Sequence, residues 1–88
     1  MRIHPATNFH THRTGTLTGI GAGAIERVLG FPSNGDLDPD RSRYCWEFLA
    51  DGQPCSIWSY KNSEQFQMFS TFGPDLVFSS LFGSNYDP

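Results

Sequence analysis

The sequence RYCWEFLADGQPCSIWSY, residues 43–60, is typical of a β-hairpin. Apolar and polar side chains alternate on both sides of its centre, as they do in strands with one buried face. The central dipeptide Asp51-Gly52 favours a two-residue type I′ turn, because Asp and Gly tolerate the positive φ angles that this turn requires. Such a turn places Ala50 opposite Gln53 and thereby sets the register of both strands.

Counting outward from the turn predicts the other cross-strand pairs: Phe48 with Cys55, Trp46 with Ile57, Cys45 with Trp58, and Arg43 with Tyr60. Successive side chains of a strand point to opposite faces of the sheet. The more apolar face is therefore expected to cover the core, and it carries Tyr44, Trp46, Phe48, Cys55 and Ile57. The opposite face carries Arg43, Cys45, Glu47, Ser56, Trp58 and Tyr60.

The same register bears on the two cysteines of the chain. Cys45 and Cys55 fall on opposite faces of the hairpin, so their sulfur atoms cannot meet within it. The sequence thus predicts two free thiols, which suits a reducing compartment.

The segments on either side of the hairpin predict further strands and two helices. Alternation and apolar spacing indicate a strand at 16–20, a helix at 21–29 ended by Gly30, a strand at 65–72, and a helix that begins at Pro74 and is capped by Gly83. The expected inner face of the first helix is Ile20, Ala24, Ile25, Val28 and Leu29, and that of the second is Leu76, Val77, Ser80 and Leu81, widened by Phe78 and Phe82. The predicted fold class is α+β, with a three- to four-stranded antiparallel sheet and two short helices packed on one face.

A length of 88 residues fits a single domain. Residues 1–15 form an N-terminal arm, either flexible or added to the sheet as an edge strand. Residues 16–83 form the α+β domain, and residues 84–88 form a short tail. Because so small a domain buries a modest core, packing against another copy of the chain is the expected supplement, and a homo-oligomer is predicted.

Composition excludes several classes of protein. Charged residues make up 17% and aromatic residues 15% of the chain, which argues against intrinsic disorder. A net charge of −3 disfavours a general DNA- or RNA-binding protein. No run of about 18 apolar residues occurs, so no membrane span is expected. The first residues lack the apolar stretch of a signal peptide, which favours a cytoplasmic protein.

The residues that usually carry catalysis are poorly placed for it. All three histidines lie within residues 4–12, far in sequence from Cys45 and Cys55, so no Cys–His or Ser–His pair is indicated. No Cys/His set has the spacing of a zinc site. The sequence therefore predicts a protein that is not an enzyme and has no metal and no cofactor.

The hairpin face opposite the core is the candidate binding surface. Trp58 and Tyr60 point the same way, with Arg43 expected opposite Tyr60 and Arg41 two residues further along. Aromatic rings stack on nucleobases, and guanidinium groups bind phosphates through forked donors. The same residues also suit a subunit interface, in which Arg43 covers Tyr60 by a cation–π contact. Lys61 is either a phosphate ligand or a solvated turn lysine.

A second candidate lies in the N-terminal arm. The run Thr11-His12-Arg13-Thr14-Gly15-Thr16 offers hydroxyls, a cation and a glycine that together can wrap an anion. Arg13 is therefore an outlying ligand-binding candidate, and the alternative is a flexible tail.

These motifs together carry a family resemblance. They are Leu29-Gly30-Phe31-Pro32, Asp40-Arg41-Ser42, Trp46-Glu47-Phe48, Asp51-Gly52, Ile57-Trp58-Ser59-Tyr60-Lys61, Ser70-Thr71-Phe72-Gly73-Pro74 and Leu81-Phe82-Gly83. Over residues 19–82 the chain resembles a family of small, mostly phage-encoded proteins. It departs from that family at Ser59 and Arg41, where Asp and Lys are common.

The resemblance implies a function in the cytoplasm of an infected bacterial cell. Proteins of this size and origin include phage counter-defence proteins, some of which are oligomeric sponges for nucleotide immune signals. The expected function is therefore sequestration of a nucleotide-derived signalling molecule, with Arg41, Arg43, Trp58, Tyr60, Lys61 and Arg13 as ligand-binding residues. The alternative is a protein–protein inhibitor or adaptor that binds a host protein through the same aromatic face.

Overall fold

The chain forms an antiparallel sheet with two helices in a computed structural model that describes residues 1–6, 12–33, 42–60 and 68–88. The side chains of Ser42, Arg43 and Tyr60 fall outside this description. The elements are β1 (Ile3–Pro5), β2 (Gly15–Thr18), α1 (Ala22–Leu29), β3 (Ser42–Ala50), β4 (Gln53–Tyr60), β5 (Met68–Phe72), α2 (Asp75–Phe82), a 3₁₀ turn (Gly83–Asn85) and β6 (Tyr86–Asp87). Within the described residues the sheet has six strands in the order β1-β3-β4-β5-β2-β6.

The central hairpin of β3 and β4 confirms most of the predicted register. Its turn has φ angles of 49° at Asp51 and 81° at Gly52, as a type I′ turn requires. Four predicted pairs are present: Ala50 with Gln53, Phe48 with Cys55, Trp46 with Ile57, and Cys45 with Trp58.

The outermost predicted pair of the hairpin is wrong. Tyr60 lies opposite Ser42, not Arg43, and Ser59 lies opposite Tyr44. A β-bulge between Ser42 and Tyr44 places one extra residue in β3, and this shifts the register beyond it. Arg43 therefore lies at the bulge, without Tyr60 as its cross-strand partner.

Both ends of the chain add a short edge strand: β1 matches the edge-strand alternative predicted for the N-terminal arm, whereas β6 was not predicted. β1 pairs with β3 through Ile3 and Ala50, at one edge of the sheet. β6 pairs with β2 through Tyr86 and Leu17, at the other edge, where a tail was expected. The predicted count of three to four strands is too low, because strands of two or three residues are too short to show alternation. The α+β class and the antiparallel sheet are confirmed.

A single core joins both helices to one face of the sheet. It contains Leu17, Ile25, Leu29, Trp46, Phe48, Ala50, Cys55, Ile57, Phe69, Val77, Phe78, Phe82 and Tyr86. The predicted core face of the hairpin is confirmed, since Tyr44 packs against this cluster and the other four residues belong to it. Both helices therefore lie on the same side of the sheet.

The predicted inner faces of the helices need correction at three positions. Val28 is 40% exposed in α1, while in α2 Leu76 is 76% exposed and Ser80 is also exposed. The large rings explain the orientation of α2. Phe78 packs edge-on to Phe48, with ring centroids 6.4 Å apart, so the Phe78 side of the helix faces the core and Leu76 faces solvent.

Both helices end at the predicted glycines, Gly30 and Gly83, whereas α2 begins one residue later than predicted. Gly30 has a φ of 87°, and its N–H donates to the carbonyl of Glu26 over 2.8 Å, which ends α1 as expected. α2 begins at Asp75, so that Pro74 occupies the N-cap instead of the first helical position.

The predicted strand at 65–72 is present as Met68–Phe72, and residues 65–67 lie outside the described part of the chain.

Candidate functional site

The candidate site lies on the sheet face opposite the helices, which we call the outer face. The strand register places on it Thr16, Cys45, Glu47, Ser56, Trp58, Met68, Ser70 and Phe72. Trp58 lies near the middle of this face, opposite Cys45 of β3 on one side and Ser70 of β5 on the other. Its side chain is half-buried, so part of the indole contacts solvent.

Large rings and small hydroxyl side chains alternate across β4 and β5. Trp58 lies opposite Ser70, and Phe72 lies opposite Ser56. The two rings are thus diagonal neighbours on one face, a relation that brings long side chains within reach of each other. Both serines are buried, while both rings remain half-exposed. The outer face therefore presents two adjacent aromatic rings over a floor of small polar side chains.

A histidine borders this aromatic pair. The ring of His12 contacts Phe72 edge-on, with centroids 5.2 Å apart and an interplanar angle of 66°. His12 precedes β2, whose pairing with β5 is extended by a bond from the Thr14 N–H to the Thr71 carbonyl over 2.7 Å. Arg13 follows His12 directly and is exposed. The N-terminal run is thus described from His12 onward and lies beside the outer face.

The thiol on the outer face, that of Cys45, has a raised pKa. Cys45 is half-buried, and its Sγ donates to Oε1 of Glu47 over 3.9 Å. Burial, with a smaller contribution from the neighbouring Glu47 carboxylate, raises the pKa of Cys45 to about 11. Because the thiolate is the reactive species, the raised pKa disfavours the nucleophilic form of this residue.

The second cysteine lies on the other face of the sheet. Cys55 is buried in the core, and burial raises its pKa to about 11 as well. Both cysteines are free, so the predicted absence of a disulfide is confirmed.

The structure describes the predicted site residues unequally. Trp58 lies on the predicted face. Arg13 is exposed two residues before β2 and follows His12, the residue that contacts Phe72. Arg43 and Tyr60 are placed only by their backbone in β3 and β4. Arg41 and Lys61 lie outside the described residues.

The sequence did not predict that Phe72 and His12 are neighbours of Trp58. Phe72 and His12 accompany Trp58 only because β5 and β2 pair as they do, and no local turn signal sets those registers. Alternation along the predicted strand at 65–72 puts Ser70 and Phe72 on the same side of it. The missing information was that this side faces the same way as Trp58.

A scan against protein-family models found no matching family, and searches of the curated proteins and of the solved structures found no match. In the described part of the chain, no helix has the length and apolar character needed to cross a membrane. Residues 1–6, 12–33, 42–60 and 68–88 contain no group of three or more His, Cys, Asp or Glu side chains suited to holding a metal ion.

Proposed function

We propose that this protein is a non-catalytic binding protein that sequesters a nucleotide-derived immune signalling molecule and so inhibits a bacterial antiviral defence. The observation that carries the proposal is the position of Trp58, which is half-exposed on the sheet face that the helices leave uncovered. A phage origin is suggested by the family that the motifs resemble.

The aromatic pair supplies the attraction for a base. A nucleobase that stacks on a protein ring gains about 1–3 kcal/mol, judged by substitution of the ring by alanine. Trp58 is the larger ring and lies beside Phe72, so it is the better platform for a base. Ser56 and Ser70 leave room between the rings, because their side chains are small.

Cations supply the attraction for phosphates. In the proposal Arg41, Arg43 and Lys61 bind phosphate oxygens, and Arg13 adds a charge from the start of β2. Arginine is suited to this because its planar guanidinium binds two phosphate oxygens at once. The bulge removes Tyr60 as the direct cross-strand partner of Arg43, which is the pairing that the alternative interpretation assumed.

The proposal includes a second copy of the chain. A pocket that encloses a whole nucleotide needs walls on more than one side, and a sheet face supplies only one. Two copies that meet around their outer faces would supply both walls. The protein is thus proposed to act as a homo-oligomer in the cytoplasm of the infected bacterium.

The test is to ask what the purified protein releases. The full chain is purified from bacteria in which a nucleotide-signalling defence is active, then unfolded by heat, and the released material is examined by ultraviolet absorption and mass spectrometry. We expect a nucleotide in stoichiometric amount from the wild type and none from the double variant Arg43→Ala, Trp58→Ala. Trp58→Phe, which keeps a ring, should retain most of the ligand.

Leu76→Ala is the matched control, because Leu76 is the most exposed large apolar residue among those described and lies on α2, away from the outer face. Equal capture by the double variant and by this control would overturn the proposed site. A wild-type protein that releases no nucleotide from defence-active cells would overturn the proposed function.

One observation favours a second function, binding of a host protein through the outer face. Met68 is 41% exposed and lies on this face beside the aromatic pair. Methionine adapts its shape to partners and is common at promiscuous binding surfaces. An empty protein that co-purifies with one host polypeptide, and loses it on Met68→Ser and Trp58→Ala substitution, would support this inhibitor or adaptor function.

A further inference from the structure

A second concave surface lies on the helix side of the sheet and shares no residue with the outer face. It is a cleft of about 270 Å³ between α1, the segment that follows α1, and β3. The residues that matter for its chemistry are Gly23, Glu26, Pro32, Ser33, Tyr44 and Trp46. Its chemistry does not depend on the proposed function.

Two stacked rings form one wall of the cleft. Tyr44 and Trp46 lie nearly parallel, at an interplanar angle of 13° with centroids 5.9 Å apart. Trp46 is buried and donates its Nε1–H to the Phe31 carbonyl over 3.1 Å. The indole N–H is thereby occupied, and Tyr44, which is half-buried, is the ring that a ligand reaches. The negative face of such a ring attracts cations.

A single carboxylate provides the charge. Glu26 is exposed on α1 and is the charged residue that lines the cleft. No described cation lies within ion-pair distance of it. Ser33 adds a hydroxyl on the same side. An aromatic face next to a carboxylate that has no cation partner among the described residues selects for a positively charged ligand.

The size of the cleft limits the ligand further. Sites for whole small molecules usually measure about 300–1,000 Å³, so 270 Å³ suits a group of side-chain size better than a complete nucleotide. Gly23 keeps the opening clear, since a Cβ at that position would meet nothing within 4 Å. A glycine within a helix costs about 1 kcal/mol relative to alanine, yet α1 carries one at the mouth of the cleft.

We propose that this cleft binds the guanidinium group of an arginine side chain presented by a polypeptide. The planar group stacks on Tyr44 and donates its N–H groups to the Glu26 carboxylate. Arginine meets both requirements at once, because its fork matches a carboxylate and its plane matches a ring. Lysine carries the same charge as a compact ammonium group and lacks the plane.

The test uses peptides of matched size. Acetyl-Gly-Arg-Gly-amide is titrated into the ¹⁵N-labelled full chain, and the amide shifts of Gly23, Glu26 and Ser33 are followed. We expect saturable shifts at these three residues. The citrulline peptide, which is neutral but of the same shape, and the lysine peptide should each bind about fivefold more weakly or worse. Absence of shifts at the cleft, or equal binding of either control peptide, would overturn the proposal.

Two variants locate the site. Glu26→Gln should weaken the arginine peptide by about fivefold, whereas Asp87→Asn, an exposed acidic residue on β6, should leave the affinity unchanged. Gly23→Leu should abolish binding by filling the cleft, with the fold retained because the position is open. Unchanged affinity in Glu26→Gln would refute the role of the carboxylate, and unchanged affinity in folded Gly23→Leu would refute the location.

Discussion

At the scale of single residues, two glycines of this chain should respond in opposite ways to alanine. A Cβ at Gly15 would lie 2.5 Å from Oη and 2.6 Å from Cε1 of Tyr86. That ring cannot easily move, because its hydroxyl donates to Oδ1 of Asp75 over 2.5 Å and its plane stacks on Phe78 with centroids 5.3 Å apart. We expect Gly15→Ala to lower the free energy of unfolding by about 1–3 kcal/mol, as overpacking usually does.

Gly23→Ala is the matched control for this prediction. The helical position is open, so alanine should raise the free energy of unfolding by up to about 1 kcal/mol. Urea unfolding of the two variants and the wild type gives both values. A Gly15→Ala variant that is as stable as the wild type would contradict the packing that the structure describes around Tyr86.

Two hydroxyls provide a second residue-scale prediction. Ser59 is fully buried opposite Tyr44, and its Oγ has no hydrogen-bond partner among the described residues. The Thr14 hydroxyl contacts the carbonyls of Thr71 and Gly73 over 3.3 and 3.2 Å and accepts from the Gly73 N–H. We expect Ser59→Ala to leave stability unchanged or raise it, and Thr14→Ala to cost about 1 kcal/mol. Chemical denaturation distinguishes the two, and a larger loss at Ser59 would show that its hydroxyl has a partner.

At the scale of elements, the edge strand β1 is tied to the hairpin turn. The Arg2 N–H donates to Oδ1 of Asp51 over 2.8 Å, and the Asp51 N–H donates to the Arg2 carbonyl over 2.9 Å. Asp51→Gly removes the carboxylate but keeps the positive φ that the turn needs, so it should loosen β1 without disturbing the hairpin. We expect about fivefold faster hydrogen exchange at the Ala6 amide, which donates to the Glu47 carbonyl.

Asp51→Asn is the control for the β1 prediction, because its amide keeps an oxygen acceptor and Asn also tolerates a positive φ. Exchange at Ala6 should then stay close to the wild-type rate. Equal acceleration in both variants would mean that the carboxylate charge, and not the hydrogen bond, holds β1.

How far each element could be predicted depends on how local its signal is. The register next to the turn followed from two residues, Asp51 and Gly52, because a type I′ turn allows a single pairing. The bulge between Ser42 and Tyr44 has no such marker, so the predicted register is wrong beyond it. β1 and β6 form only by pairing with strands that are distant in sequence, and strands so short carry no pattern of their own.

The candidate site shows the same limit at the scale of the whole molecule. The face of Trp58 was predictable, since alternation within one strand decides it. Its neighbours Phe72 and His12 were not, because they depend on how β5 and β2 align with β4. The cleft beside Tyr44 was likewise missed, because it exists only where α1 meets β3. Side-chain neighbours that depend on how two elements are aligned therefore cannot be predicted from the sequence pattern of either element alone.

The whole molecule should also lose stability at alkaline pH, because three weak acids are held neutral by burial. Burial raises the pKa of Cys45 from 9.0 to about 11 and that of Cys55 from 9.0 to about 11. The pKa of Tyr86 rises from 10.0 to about 12, through burial and through its hydrogen bond to the Asp75 carboxylate. The unfolded chain releases these protons at lower pH than the folded chain. Their contribution to stability is therefore complete below pH 9 and is lost as the pH rises toward 12.

The contribution of Tyr86 can be separated from the others with Tyr86→Phe, which keeps the ring and removes the titrating hydroxyl. The free energy of unfolding is measured by urea denaturation from pH 7 to pH 11 for both proteins. The wild type should lose stability more steeply than the variant above pH 10, where an unfolded tyrosine begins to ionise while the folded one remains neutral. The difference between the curves should be flat below pH 9. Parallel curves over the whole range would show that Tyr86 ionises equally readily in the folded and the unfolded chain. The packing that joins β6 to the start of α2 would then be looser than the structure describes.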